Sequence, residues 1–515
     1  MNRSDGVVLA GTAPSLVARL RRIRRLKRWL LWPVLGLALL ALLGGGLWYL
    51  QAAAIGPWGR AVQRFYSRIT LQSFVPLLRA DQRILILAPH PDDEILGAGG
   101  LISRQIAQGA QVQVVLVTNG DGYRYAITGH FLHLQVPPAD YRRLAYRRQQ
   151  ETLAALGTLG LDSSSVIFLG YPDRGVARMW TDYWEVPYRS PFTRATASPY
   201  DNSYTPEAPF TGQALLHDLS EILDRFQPTQ LYLPHPNDIH PDHWATYCFA
   251  MLALEMARLR GESWALAAHT LGYLVHRGEL EWPRPRGYHP ELSLYPPPAM
   301  AALGDGWAEY PLVREEVELK RRAILQYRSL LPTQRGFLLA FARRNELFIE
   351  LAPLAAPRVT PGSIKVDGRA ADWLGVAPLL RDPINDALTR TFTRGGDIQA
   401  LYVALDDGRL AMRLAVDGGL LPGTRYQLRL FALRRDLDGQ VRLERHWWGP
   451  VGGSTAAEMV INGRVVEWKA SLEALGYPEV VILSWEARGP TPITERTAWA
   501  TLVLPDMAVI APPAD

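Results

Sequence analysis

From residue 83 onward the chain alternates short apolar runs with longer amphipathic stretches. The runs 83–88, 112–118, 166–169 and 230–233 are nearly unbroken in apolar side chains, the pattern of strands buried on both faces. Between them, residues 95–108, 140–156, 214–226 and 242–258 repeat apolar positions with a helical period. A longer strand is predicted at 267–276, and a helix from about residue 312 to 330 after a proline-rich, irregular stretch at 281–312. This alternation predicts an α/β domain with a Rossmann-like, mostly parallel sheet covered by helices on both faces. Residues 174–212 break the rhythm. They are rich in Tyr, Trp, Pro, Ser and Thr, too long for an ordinary connection, and so placed between strands that they are expected to wall a pocket.

After residue 357 the helical period disappears. Short segments at 363–366, 398–404, 410–416, 426–432, 441–447, 457–461, 464–470, 480–487 and 498–504 are separated by Gly, Asp and Pro turns. Strands at that spacing without helices predict a C-terminal all-β sandwich over 358–515.

The other end of the chain has a different pattern. Residues 29–50 form an uncharged apolar run of 22 residues, and roughly 20 such residues span a bilayer as a helix. Trp29 and Trp32 at one end, and Trp48 and Tyr49 at the other, suit the two membrane interfaces. The preceding residues 1–28 carry Arg3, Arg19, Arg21, Arg22, Arg24, Arg25, Lys27 and Arg28 against Asp5 alone. That asymmetry predicts a cytoplasmic basic tail, a single transmembrane helix, and an extracytoplasmic remainder joined through a linker at 51–82. A cleaved signal peptide is the alternative. The run exceeds the usual apolar core of a signal, which favours an uncleaved anchor, although Ala52-Ala53-Ala54 leaves cleavage open.

Composition adds bounds rather than detail. A chain of 515 residues with 48% hydrophobic and 20% charged content is globular and long enough for two or three domains. The net charge of +5 is concentrated in the basic tail, and the remainder is near neutral. With no aromatic residues among those basic ones, nucleic acid is not expected as a partner. The single cysteine, Cys248, cannot form an internal disulfide and sits in an apolar run as a small core residue.

Candidate chemistry lies at the ends of two predicted strands. The first ends in Ala88-Pro89-His90-Pro91-Asp92-Asp93-Glu94, the other in Pro234-His235-Pro236-Asn237-Asp238-Ile239-His240-Pro241-Asp242-His243. Open α/β sheets place their sites just beyond the carboxyl ends of strands. If a helix begins after the first strand, His90 and Asp93 share a face and can reach one ion. Asp92 then points elsewhere and is a candidate base for an attacking water. His243 would complete a set of two histidines and one carboxylate with open positions, which catalytic zinc sites use. His240 would be free to stabilise an oxyanion or protonate a leaving group, and Asp242 to orient one of the histidines. A lone His-Pro-Asp is usually a strand-end turn, and acids at a helix start also offset its dipole. Two such clusters at two strand ends of one sheet favour a metal site.

Other positions carry less. Gly97, Gly99 and Gly100 lack dinucleotide-binding spacing and are read as close helix packing. His130, His133, His269, His276 and His289 are read as ordinary polar positions, and His235, between two prolines, as part of a rigid turn. No GxSxG elbow is present for a serine nucleophile.

The paired motifs resemble the PIG-L (LmbE-like) deacetylase family over about residues 80–350, placing a deacetylase domain at 83–350. The first motif carries an extra proline after Ala88, and the second, His240-Pro241-Asp242-His243, is intact. Thr118-Asn119-Gly120-Asp121, Arg148 with Glu151, Leu169-Gly170-Tyr171-Pro172-Asp173, Lys320, Tyr327 and Ser329 are similar to the family's context. The resemblance implies Zn2+, or another divalent ion such as Fe2+, held by His90, Asp93 and His243, with Asp92 as general base. It also implies that His240 assists the tetrahedral intermediate or the leaving amine, with Asp242 tuning it. The implied reaction removes an acetyl group from an N-acetylated amino sugar. The C-terminal region resembles CBM9-like sandwich domains through Ile364-Lys365-Val366-Asp367-Gly368, Asp372-Trp373 and Asp397 to Ala404. Trp373, Trp447 and Trp448 there are either core or a sugar platform.

The sequence therefore predicts a membrane-anchored, metal-dependent N-deacetylase acting on an N-acetylglucosamine-type glycan or glycolipid. Two other functions remain open: a glycan-binding scaffold with a vestigial metal site, and a metallohydrolase acting on another amide or ester.

Overall fold

The computed structural model describes residues 72–73, 82–128, 136–277, 282–301, 303, 306–383, 397–417, 423–449, 457–488 and 493–504. Leu71–Asp515 form one of two compact units. The other unit, with the expected basic tail and transmembrane helix, lies outside the described residues. Among the described residues, no helix is long and apolar enough to cross a membrane.

The α/β part runs β1 (Gln72–Ser73), β2 (Arg83–Ala88), α1 (Asp93–Ala107), β3 (Gln111–Thr118), α2 (Arg124–Thr128), α3 (Pro138–Thr158), β4 (Val166–Tyr171), α4 (Val176–Thr181), α5 (Gly212–Phe226), β5 (Gln230–Pro234), α6 (Pro241–Leu259), α7 (Ser263–Ala267), β6 (His269–Tyr273), α8 (Pro298–Ala301), β7 (Ala308–Pro311), α9 (Arg314–Ile324), α10 (Leu331–Leu339) and β8 (Asn345–Glu350). The sheet order is β1-β7-β8-β6-β5-β2-β3-β4. Strands β4, β3, β2, β5 and β6 are parallel neighbours, while β8 pairs antiparallel with both β6 and β7. The sheet is mostly parallel, as expected, and mixed through the internal strand β8, beyond which β7 and β1 pair parallel to each other. Because β3 and β5 leave β2 on opposite sides, the strand order reverses at β2. Ligands of open α/β sheets sit at such a reversal.

Three local features depart from the sequence pattern for visible reasons. The strand expected over 267–276 stops at Tyr273, because the Asp238 carboxylate takes the amides of Val275 and His276 that a ladder would use. The helix expected to about residue 330 stops at Ile324, and the turn that follows delivers Tyr327 to Glu94 and Ser329 to Glu151. Residues 363–366 form no strand, since Asp406 accepts the amides of Gly362 and Ile364 instead. Gln72–Ser73, inside the expected linker, already pairs with β7 at the sheet edge.

The C-terminal part contains β9 (Leu354–Ala355), β10 (Leu380–Arg381), β11 (Asp397–Asp406), β12 (Arg409–Asp417), β13 (Arg425–Arg435), β14 (Val441–Trp448), β15 (Ala457–Asn462), β16 (Val465–Ser471), β17 (Val480–Arg488), β18 (Ile493–Arg496) and β19 (Ala500–Val503). They form two sheets, β10-β11-β12-β16-β15 and β14-β13-β17-β19-β9 with β18 on β17. Leu401, Met412 and Trp468 of one sheet share a core with Leu430, Leu483 and Trp485 of the other, as in a sandwich.

The second sheet is buried on both faces. Leu428 and Leu430 of β13 point into the sandwich core, whereas Phe431 and Leu433 join the core of the α/β part. This is the alternation a strand imposes. Trp180 stacks on Phe431 with ring centroids 4.0 Å apart, and Trp499 lies edge-on to Trp180 at 5.4 Å. Trp373 and Trp448 are buried, and Trp447 lies under the Arg429 guanidinium. The three do not form an exposed sugar platform.

Candidate metal centre

His90 sits in the turn leaving β2, and Asp93 opens α1 directly after it. The His90 amide donates to Asp93 Oδ2 at 3.0 Å, and His90 Nδ1 lies 3.1 Å from the same oxygen. His243 occupies the first turn of α6, after β5, and its Nε2 is also 3.1 Å from Asp93 Oδ2. One carboxylate oxygen is therefore shared by two imidazoles from strand ends remote in sequence. His240 caps α6, its Nδ1 accepting the Asp242 amide, and its ring centroid lies 4.6 Å from that of His90. His90, His240 and His243 each offer a nitrogen within 4.8 Å of the others.

The surrounding carboxylates orient these rings. Asp238 Oδ2 lies 3.0 Å from His243 Nδ1. Asp242 is 3.3 Å and Asp173 3.5 Å from His90 Nε2. Asp242 thus bears on His90, not through its carboxylate on His240, and it also accepts the amides of Arg174 and Val176 at the start of α4. Residues 174–212 do wall the site, through this α4 start. Asp238 and His276 were not singled out by sequence reasoning. Asp238 stood inside the second motif, which was the available signal. His276 was read as an ordinary polar position, yet it offers a nitrogen alongside Asp93 and His243. His235 is buried away from the cluster, stacked on Trp307, with its Nδ1 accepting the Asn237 amide.

Asp92 adopts φ 120° at the N-cap of α1, and its side chain makes no capping hydrogen bond. Its amide donates to Glu94. The Arg148 guanidinium holds the carbonyls of Pro91 and Gly120 and comes within 3.4 Å of Asp92 Oδ1. Burial and the neighbouring Asp93 raise the Asp92 carboxyl well above the usual range. Close by, the amide group of buried Asn119 has no hydrogen-bond partner. Burial and Asp173 push the Asp121 carboxyl up to about 7, although it accepts from Tyr200.

The residues fit a divalent cation. Burial alone would lower the His243 imidazole, but Asp238 and Asp93 raise it to about 9. Against the burial cost, His243 and His90 hold Asp93 well below the usual range. The cluster is thus short of positive charge. Both His243 ring nitrogens lie close to carboxylate oxygens, yet neither makes a well-directed hydrogen bond. Two imidazoles converging on a carboxylate, each ring backed by a further carboxylate, are the donors and outer partners that zinc sites employ.

Residues 85–254 match the family model described as PIG-L: GlcNAc-PI de-N-acetylase. The 1D-myo-inositol 2-acetamido-2-deoxy-alpha-D-glucopyranoside deacetylase of Mycobacterium sp. (strain KMS) is 33% identical over 178 residues, which covers 34% of this chain and 51% of that protein. The corresponding deacetylase 1 of Saccharopolyspora erythraea is 34% identical over 184 residues, covering 34% and 54%. The chain spans about half the length of the curated relatives it matches. Among solved structures, the N,N'-diacetylchitobiose deacetylase from Pyrococcus horikoshii aligns at 20% identity and a TM-score of 0.32, over 52% of this chain and 83% of that one. A likeness of that size carries no argument about function. The matched residues 85–254 contain both histidine–aspartate clusters, whereas His276 and the C-terminal sheets lie beyond them.

Proposed function

We propose that this chain is a metal-dependent N-deacetylase that hydrolyses the acetamide of an N-acetylglucosamine-type glycan or glycolipid. The observation that carries the reading is the sharing of Asp93 Oδ2 by His90 and His243 at a sheet reversal, inside a PIG-L domain. His90, Asp93 and His243 would hold the ion, Zn2+ or another divalent cation such as Fe2+. When bound, such an ion polarises a carbonyl and makes water more acidic. Asp92 takes the proton from water as the new C–O bond forms. The C–N bond then breaks, and the amine leaves with a proton, giving acetate and a free amino sugar. His240, partly exposed beside His90, is placed to hydrogen-bond the oxyanion or the departing amine. Asp242 and Asp173 orient His90, and Asp238 orients His243.

The anchor belongs to the same reading. The basic tail and apolar run at 1–50 would hold the enzyme on a membrane with its site outside. The substrate would then be a cell-surface glycan.

The test is metal content together with acetate release from N-acetylglucosamine-containing substrates by the full chain and by Asp92→Ala and His243→Ala. Loss of turnover is expected in both, with loss of metal in His243→Ala alone. Full turnover in both variants would exclude the mechanism.

A further inference from the structure

The seam between the PIG-L domain and the sandwich contains a pocket of about 490 Å³, within the range of small-ligand sites. Its floor is the loop that carries the second cluster. Asp238 and Pro241 line it, and Asp238 is also the carboxylate beside His243. One wall is the outer side of α4, with Arg178. The opposite wall comes from the sandwich, with Glu486, Arg488 and Arg496.

The formal charges lining this seam are matched, with Arg178, Arg277, Arg488 and Arg496 against Asp182, Asp238, Glu486 and Glu495. Arg178 pairs with Asp182 at 2.8 Å and Arg488 with Glu486 at 2.9 Å, while Arg496 lies over the Trp244 ring at 4.4 Å. An anionic ligand would have to break these pairs. A neutral, hydroxyl-rich ligand meets donors and acceptors side by side with an aromatic edge, and that combination suits a sugar. The loop with Asn237, Asp238, Ile239 and Pro241 lines the pocket and its Asp238 backs His243, so the pocket stands one loop away from the imidazole cluster, none of whose histidines line it.

We propose that this seam pocket is a binding subsite for a further sugar unit of the substrate, built jointly by the PIG-L domain and the sandwich. It rests on the proposed action on an amino-sugar glycan and adds that the substrate is an oligosaccharide extending from the cluster into the seam. The sandwich then contributes to chain-length selection through its inner edge at Glu486 and Arg488.

Calorimetric titration of the full chain with tetra-N-acetylchitotetraose and with N-acetylglucosamine tests it. Arg178→Ala and Arg488→Ala alter side chains that are 53% and 41% exposed, so both variants are expected to fold. Each variant is expected to bind the tetrasaccharide at least tenfold more weakly while its affinity for the monosaccharide changes much less. Tetrasaccharide affinity equal to that of the unaltered chain in both variants, or no binding of the tetrasaccharide at all, overturns the subsite. Acetate release is read separately. Seam-dependent binding without any release would refute the deacetylase reading and leave the subsite standing.

Discussion

Asp92 shows a conflict between local stability and chemistry. A non-glycine residue at φ 120° costs roughly 1–3 kcal/mol and persists where the surroundings impose it. Here the Arg148 clamp on the Pro91 and Gly120 carbonyls imposes it. Asp92→Gly is therefore expected to stabilise the fold by about 1 kcal/mol while abolishing acetate release, measured by urea unfolding beside an activity assay. A less stable glycine variant would show that the conformation carries no strain. His235 gives a pH prediction. Burial, with the nearby Arg277 charge, pushes its imidazole down to about 3. Below its unfolded pKa near 6.5 the unfolded chain binds a proton that the folded chain does not. Stability therefore falls as pH drops from about 6.5 towards 3, by about 1.4 kcal/mol per unit. His235→Asn keeps an acceptor for the Asn237 amide and should lose less stability between pH 7 and pH 5. Equal losses would place the proton elsewhere. At this scale, His90, Asp93 and His243, which meet at Asp93 Oδ2, were readable because each belongs to a short motif at a strand end. His276 was not, because its motif is an unremarkable strand terminus. Only the three-dimensional turn made by Asp238 brings it to the cluster.

At the scale of elements, α1 is bent and stapled. Ala98 departs from helical geometry, and beyond it the amides of Gly100 and Leu101 donate to the carboxylate of Glu346 on β8. Buried Lys320 of α9 joins Glu346 at 2.7 Å and donates to the Leu96 carbonyl. Removing one partner of a buried ion pair costs about 3–5 kcal/mol. Glu346→Leu also orphans two amides, so it should destabilise more than Lys320→Met in denaturant unfolding, and the reverse order would assign the staple to the lysine. The glycines of α1 were legible as packing residues: a Cβ on Gly97 would meet the Tyr273 ring at 2.5 Å, and one on Gly100 would meet Leu312 at 2.5 Å. Gly97→Ala should accordingly cost roughly 1–3 kcal/mol. The parallel strands were legible because burial on both faces leaves continuous apolar runs. Strand β8 was not, since Asn345 and Glu346 interrupt its apolar run, and their polar groups are consumed by Leu294 and by α1. Strands of two residues, such as β9 and β10, leave no periodic signal at all.

At the scale of the whole molecule, the seam decides whether the two parts move independently. Interfaces between domains usually permit motion unless they are large and hydrophobic. This one is apolar and aromatic. Phe431 sits among Trp180, Trp184, Trp447 and Trp499, and Ile482 and Val480 join the same core. The sequence hinted at it only through the start of β17, whose residues 480–483 are apolar on both faces where an outer sheet exposed to water would alternate. The partner surface lies on α4, inside the stretch that broke the α/β pattern. That segment therefore serves two purposes: its first residues bind Asp242 at the candidate metal centre, and its tryptophans bind the sandwich. Unfolding of residues 71–515 should then be a single calorimetric transition, because neither part can lose its fold without exposing the other's aromatic face. Phe431→Ala removes the ring stacked on Trp180 and is expected to cost about 3–5 kcal/mol, and to begin separating the two parts into distinct transitions. Two well-resolved transitions in the unaltered chain would mean that the seam is a loose contact. A subsite built from both of its walls would then lack the rigidity needed to select a sugar.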